Sequence, residues 1–213
     1  MTNAVIFDMD GVISATQSIH ADVESEFLAR HGVFITPEEL STRFAGVKDE
    51  DQFKILLGDK LNPSEIEAFI TDKWTHLLNI ANEVEAVPGA IELIHDLHQR
   101  LFPLAVASAS ISNYVETILK HLGVFDCFSA IICGDMVAHG KPHPEIFLMA
   151  AEKLGVQPSE CVVIEDGAAG MEAAKAAGMK CIALIDDDSR ELPPVTKTVT
   201  SLSELSPTVI RDL

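Results

Sequence analysis

Short, continuously apolar runs alternate with helix-period stretches along most of this chain. Ala4-Val5-Ile6-Phe7 is unbroken by polar residues and is bounded by Asp8-Met9-Asp10-Gly11, which predicts a buried strand ending in a tight turn. Residues 17 to 81 then read as almost entirely helical. Ile19, Val23, Phe27 and Leu28 form one face of a first helix, with Arg30 and His31 in its last turn and Gly32 placed to end it. Thr36-Pro37-Glu38-Glu39 and Asn62-Pro63-Ser64-Glu65 each have the form of a capping box with Pro at the first helical position. Ile66, Phe69, Ile70, Trp74, Leu77 and Leu78 keep the helical period after the second box.

At Val87-Pro88-Gly89 the pattern changes. Apolar runs at 104–107, 130–133, 161–164 and 181–184 alternate with helical segments near 115–122, 144–154 and 168–177, and a short sixth strand is expected at 196–199. Strands separated by helices imply parallel pairing through right-handed crossovers. The expected fold is an α/β, doubly wound parallel-sheet (Rossmann-like) core formed by residues 1–14 and 86–213, with an inserted all-helical cap domain at 15–85.

Composition narrows the class. The 213 residues include 47% hydrophobic and 23% charged side chains, ordinary globular values. The formal net charge of −18 disfavours nucleic acid and anionic membrane surfaces as partners. The four cysteines have no CxxC spacing and read as buried small hydrophobes in a reducing compartment. No secretory leader or membrane-length apolar run is evident, so a cytoplasmic protein is expected, a monomer or weak homodimer.

In an open parallel sheet, ligands bind beyond the carboxyl ends of the strands. The polar residues there are Asp8 and Asp10 after the first strand, Ser108 after the second, and Glu165 and Asp166 after the fourth, with Lys141 just ahead of a helix. Several carboxylates at one sheet edge call for a cation, and an all-oxygen set suits magnesium.

Phe7-Asp8-Met9-Asp10-Gly11-Val12, Ala107-Ser108, Gly140-Lys141-Pro142 and Glu165-Asp166-Gly167 resemble, in order, the four motifs of the haloacid dehalogenase-like phosphohydrolases. The resemblance covers nearly the whole chain, and its nearest form is the beta-phosphoglucomutase and small phosphosugar phosphatase branch. It implies Asp8 as nucleophile and Asp10 as general acid/base. It implies Mg2+ held by Asp8, the Asp10 backbone carbonyl and Asp166, with Glu165 ordering the metal shell. Ser108 and the Ala109 N–H would bind the phosphoryl group, and Lys141 would contact both it and Asp8. Cap and substrate candidates are Thr16, His20, Gly46, Val47, Lys48, Ser110 and Asn113.

The pattern departs from the family at three places. Ala15 stands where an Asp is common. Asp49 and Ile111 stand where mutases carry phosphate-gripping cations. A magnesium-dependent phosphatase of small phosphorylated metabolites, chiefly phosphosugars, is therefore expected ahead of a phosphosugar mutase, and both ahead of a non-catalytic binding protein on the same fold.

Overall fold

The computed structural model of the chain describes residues 2–185 and 192–213. Its elements run in the order β1 (Ala4–Phe7), α1 (Gln17–Arg30), α2 (Pro37–Phe44), α3 (Asp49–Leu57), α4 (Pro63–Ile80), α5 (Ala90–Gln99), β2 (Leu104–Ser108), α6 (Ser112–His121), β3 (Ala130–Cys133), α7 (Glu145–Leu154), β4 (Cys161–Glu165), α8 (Ala168–Ala176), β5 (Lys180–Leu184), β6 (Lys197–Val199) and α9 (Pro207–Arg211).

The six strands form one parallel sheet in the order β3-β2-β1-β4-β5-β6. The continuous apolar runs follow from covering both faces. Val5, Phe7, Val106 and Ile164 pack toward α5 and α6, whereas Ala4, Ile6, Ala105 and Val163 pack toward α7 and α8. The strand order reverses beside β1. Register sets Phe7 opposite Val106 on one side and Ile164 on the other, so Asp8 leaves the sheet at this switch point, between the ends of β2 and β4.

Helices α1 to α4 form the insertion and enclose an apolar cluster of their own, including Leu28, Leu40, Phe44, Phe53 and Leu57. The two connecting segments run side by side: the Ala15 N–H donates to the Glu85 carbonyl (2.9 Å) and the Val87 N–H to that of Ile13 (2.9 Å). Near this junction Trp74, Leu77, Ala81 and Val84 join the core cluster rather than the cap cluster, so α4 spans both.

Two local expectations meet different outcomes. Asn62 and Glu65 form both halves of a capping box. Thr36 accepts the Glu39 N–H, but the Glu39 carboxylate turns to Arg43 (2.7 Å), an i,i+4 partner, and only half of that box forms. The four cysteines are free and buried.

Phe53 is fully buried at the centre of the cap, edge-on to Phe27 and Phe69. Phe53→Ala is expected to lower stability by about 3–5 kcal/mol in urea denaturation. A loss below about 1 kcal/mol would mean that this cluster adds little to folding.

Candidate active site

The sheet delivers the chemistry to one edge. Asp8 follows β1 and is almost fully buried, Glu165 ends β4 with no exposure, and Lys141 reaches in from the loop before α7, also buried. The turn after β1 closes through the Gly11 N–H on the Ser14 carbonyl (2.8 Å) and the Ser14 N–H on the Met9 carbonyl (3.0 Å). Gly11 has φ +89°, and a Cβ there would lie 2.1 Å from Asp166 Oδ2, so only glycine brings this turn against Asp166.

Lys141 Nζ donates to Asp8 Oδ1 (2.5 Å), Glu165 Oε1 (2.7 Å) and the Ala107 carbonyl (3.1 Å), which uses all three of its N–H groups. Burial alone would lower its pKa, but Asp8 and Glu165 outweigh burial and hold the ammonium above its ordinary value. Burial pushes the Asp8 carboxyl up to about 8 despite Lys141, with Glu165 and Asp10 adding to the rise. Asp166 is pushed up by burial, then by Glu165 and Asp8.

Oxygens of Asp8, Glu165 and Asp166 all lie within 4.8 Å of one another. One ammonium faces three carboxylates, and the donors are all oxygen, a set that fits a hard divalent cation. Glu165 Oε2 is already taken by the Gly167 N–H (2.8 Å), so Glu165 is held by protein on both oxygens.

Asp10 lies in a different environment. Thr16 Oγ1 donates to its Oδ1 (2.5 Å), while Ser110 Oγ (2.7 Å) and Ser108 Oγ (3.2 Å) donate to its Oδ2. Thr16 occupies the N-cap position of α1, yet its hydroxyl makes no cap bond and serves Asp10 instead. Ser108 does not cap α6, whose N-cap is Ile111. Its hydroxyl accepts the Ser110 N–H (3.0 Å). His20 Nε2 stands 3.5 Å from Asp10 Oδ1, between the edges of Trp74 and Tyr114. Burial lowers its pKa and favours the neutral ring.

The cap loop rests on the core. A Cβ on Gly46 would sit 3.3 Å from Lys141 Cδ, and one on Gly167 would sit 2.8 Å from the Ala45 carbonyl oxygen. Between cap and core lies a cleft of about 50 Å³, lined by Asp8, Asp10, His20 and Ser110 among others. Gly46, Val47 and Ala109 also border it. Thr16, Ser108 and Lys141 lie behind the lining, bonded to Asp10 or Asp8, and two other candidates are turned away from it. Lys48 extends its ammonium to the Val137 carbonyl (3.2 Å), and Asn113 is exposed in the first turn of α6.

The cleft's cation is instead Lys73, accompanied by Glu24, Asp49 and Gln52; of these four the motifs point only to Asp49, as the place of a missing cation. A signal existed: Lys73 falls between Phe69 and Leu77 on the apolar face of α4, and Glu24 falls four residues before Leu28 on α1. A charged residue on an apolar stripe needs a partner.

The profile of the haloacid dehalogenase-like hydrolases matches residues 2–178, spanning every residue of this site. The chain belongs to that family. The fructose-1-phosphate phosphatase YqaB of Escherichia coli (strain K12) is 32% identical over 182 residues, covering 84% of this chain and 94% of that one. The bifunctional riboflavin kinase/FMN phosphatase of Arabidopsis thaliana is 32% identical over 206 residues, 96% of this chain, but the chain spans only about half (53%) of that protein's length. The solved beta-phosphoglucomutase from Clostridium difficile superposes with TM-score 0.87 at 28% identity, covering 100% of this chain and 96% of that one. Within the haloacid dehalogenase-like hydrolases the chain thus falls in the phosphoric monoester hydrolase branch that includes small phosphosugar phosphatases. No helix among the described residues is long and apolar enough to cross a membrane.

Magnesium added to metal-free protein is expected to raise the thermal melting temperature, because a ligand bound only by the folded state stabilises by about 2.7 kcal/mol at 100 times its Kd. Asp166→Asn is expected to remove most of that shift. An equal shift in both proteins would place the cation elsewhere.

Proposed function

We propose that the protein is a magnesium-dependent phosphatase of small phosphate monoesters, with phosphosugars as its main substrates, and that it works through an aspartyl-phosphate on Asp8. The contrast between two aspartates two residues apart carries this proposal. Both border the cleft, but Asp8 lies against Lys141 in the carboxylate cluster, whereas Asp10 is ringed by hydroxyls.

In this scheme an Asp8 oxygen attacks phosphorus, and the ester P–O bond breaks as Asp10 gives a proton to the departing oxygen. Water then attacks the aspartyl-phosphate, Asp10 takes its proton, and inorganic phosphate leaves. Lys141 holds Asp8 in line and offers positive charge to the phosphoryl oxygens as negative charge builds. Ser108 and the Ala109 N–H bind the same group. Asp8, Asp166 and the Asp10 backbone carbonyl would hold the magnesium, which offsets repulsion between a carboxylate nucleophile and an anionic ester.

Residues 15–85 act as a cap that opens to admit substrate. At about 50 Å³ the cleft is small beside a whole sugar phosphate, which supports a cap that moves on binding. Thr16, at the entry to α1, ties the start of the cap to Asp10, a contact that would also serve a mutase. Asp49 and Ile111 weigh against the mutase, because a bisphosphate intermediate needs cations where these residues stand.

Asp8→Asn is expected to lower magnesium-dependent phosphate release from a metabolite-ester panel by more than about 10³-fold. Activity near the wild-type level would eliminate the aspartyl-phosphate route. Following a hexose 1-phosphate by phosphorus NMR with a bisphosphate activator separates the two chemistries: inorganic phosphate is expected, and accumulation of the 6-phosphate would establish a mutase.

A further inference from the structure

The loop before α7 turns two imidazoles outward as it sends Lys141 inward. His139 and His143 flank Gly140-Lys141-Pro142, and the His143 N–H donates to the Gly140 carbonyl (2.9 Å), which closes a tight turn. The turn sets the two rings side by side, with centroids 4.7 Å apart and planes inclined by 54°. Both histidines are exposed, and neither belongs to the cleft lining or to the carboxylate cluster. The His139 ring has no hydrogen-bond partner among the described residues; its backbone N–H is the group that bonds.

Glu145 holds this arrangement. Its Oε1 accepts the Ala138 N–H (3.0 Å) and its Oε2 the His139 N–H (2.9 Å), which pins the start of the loop to the first turn of α7. These two N–H groups hold the Glu145 carboxyl below its ordinary value, so it stays ionised. The Glu145 N–H in turn donates to His143 Nδ1 (3.3 Å), and Glu145 Oε2 lies 3.9 Å from that same nitrogen. His143 therefore meets Glu145 with Nδ1 and leaves Nε2 free.

Two imidazole nitrogens chelate one ion when they stand about 3.3 Å apart, the span of two bonds of about 2.0–2.1 Å at a tetrahedral metal. Exposed rings this close reach that span by side-chain rotation. Bound through Nε2, His143 carries its ring proton on Nδ1, and Glu145 Oε2 is placed to accept it. A carboxylate in that position fixes the tautomer and orientation of a ligating histidine. Donor type separates this pair from the core cluster. Imidazole nitrogen suits zinc, nickel and copper, whereas the all-oxygen set of Asp8, Glu165 and Asp166 suits magnesium.

We infer that His139 and His143 form a second metal site, which takes a late first-row divalent ion (zinc, nickel or copper) through two imidazoles, with water completing the shell and Glu145 orienting His143. The site sits on the turn that carries Lys141, and it stands independently of the phosphatase reading.

Calorimetric titration of nickel into the chain without an affinity tag, at saturating magnesium, tests it. One equivalent is expected to bind. His139→Ala and His143→Ala are each expected to weaken that binding at least about tenfold, since losing a ligand costs no less than losing the group that orients one. Asp166→Asn is expected to bind nickel as the wild type does. Both histidines are exposed, so an unchanged melting temperature without nickel shows that the variants are folded. Electron paramagnetic resonance of the copper(II) form is expected to show two imidazole nitrogens on the wild type and one on each histidine variant. A wild-type Kd above about 1 mM would overturn the inference. So would binding that neither histidine variant weakens, or that only one of them does, the mark of a lone imidazole. Loss of binding in Asp166→Asn alone would put the ion in the carboxylate cluster and overturn it too.

Discussion

A buried ammonium among carboxylates governs this structure. Lys141 has no other way to exist where it does: an isolated charge in the interior is strongly unfavourable, and Asp8, Glu165 and the Ala107 carbonyl occupy each of its N–H groups. The dependence is mutual, because Asp8 and Glu165 are as deeply buried as Lys141. The parallel sheet makes the meeting possible. It ends β1, β2 and β4 side by side and so brings residues more than 130 positions apart in the chain within hydrogen-bonding distance.

The cap repeats the arrangement. Lys73 is also buried between two carboxylates, and each cluster carries more negative than positive charge. The surplus at the core suits a divalent cation, because Asp8 and Asp166 offer hard oxygen donors at close range. A net charge of −18 is therefore compatible with binding a small anion. What decides binding is the local sign at the phosphoryl end, where Lys141 and a bound metal would reverse the field.

The sheet and its two faces were legible because a strand covered on both sides must be apolar throughout, and Ala4–Phe7, Leu104–Ala107 and Cys161–Ile164 nearly spell this out. The strand-end residues were legible for the same topological reason. The capping boxes were legible only in part, because Glu39 had a competing partner in Arg43 that a four-residue motif does not contain. The cap site was not legible. Lys48, two residues after Gly46, bonds to Val137, and Lys73 belongs to no motif, its one signal being a charge between Phe69 and Leu77.

The sequence by itself determined the elements, the family, and the carboxylates and lysine at the sheet edge, because each depends on residue type at short range or at a fixed strand end. Only the tertiary structure decided what those groups touch. Asp10 was assigned to Thr16, Ser108 and Ser110, Glu165 to Lys141 and Gly167, and the cleft's far end to Glu24, Asp49 and Lys73. Such pairings join different helices and loops. Their energy comes from burial and from the low dielectric around them, and neither exists until the cap has folded against the core.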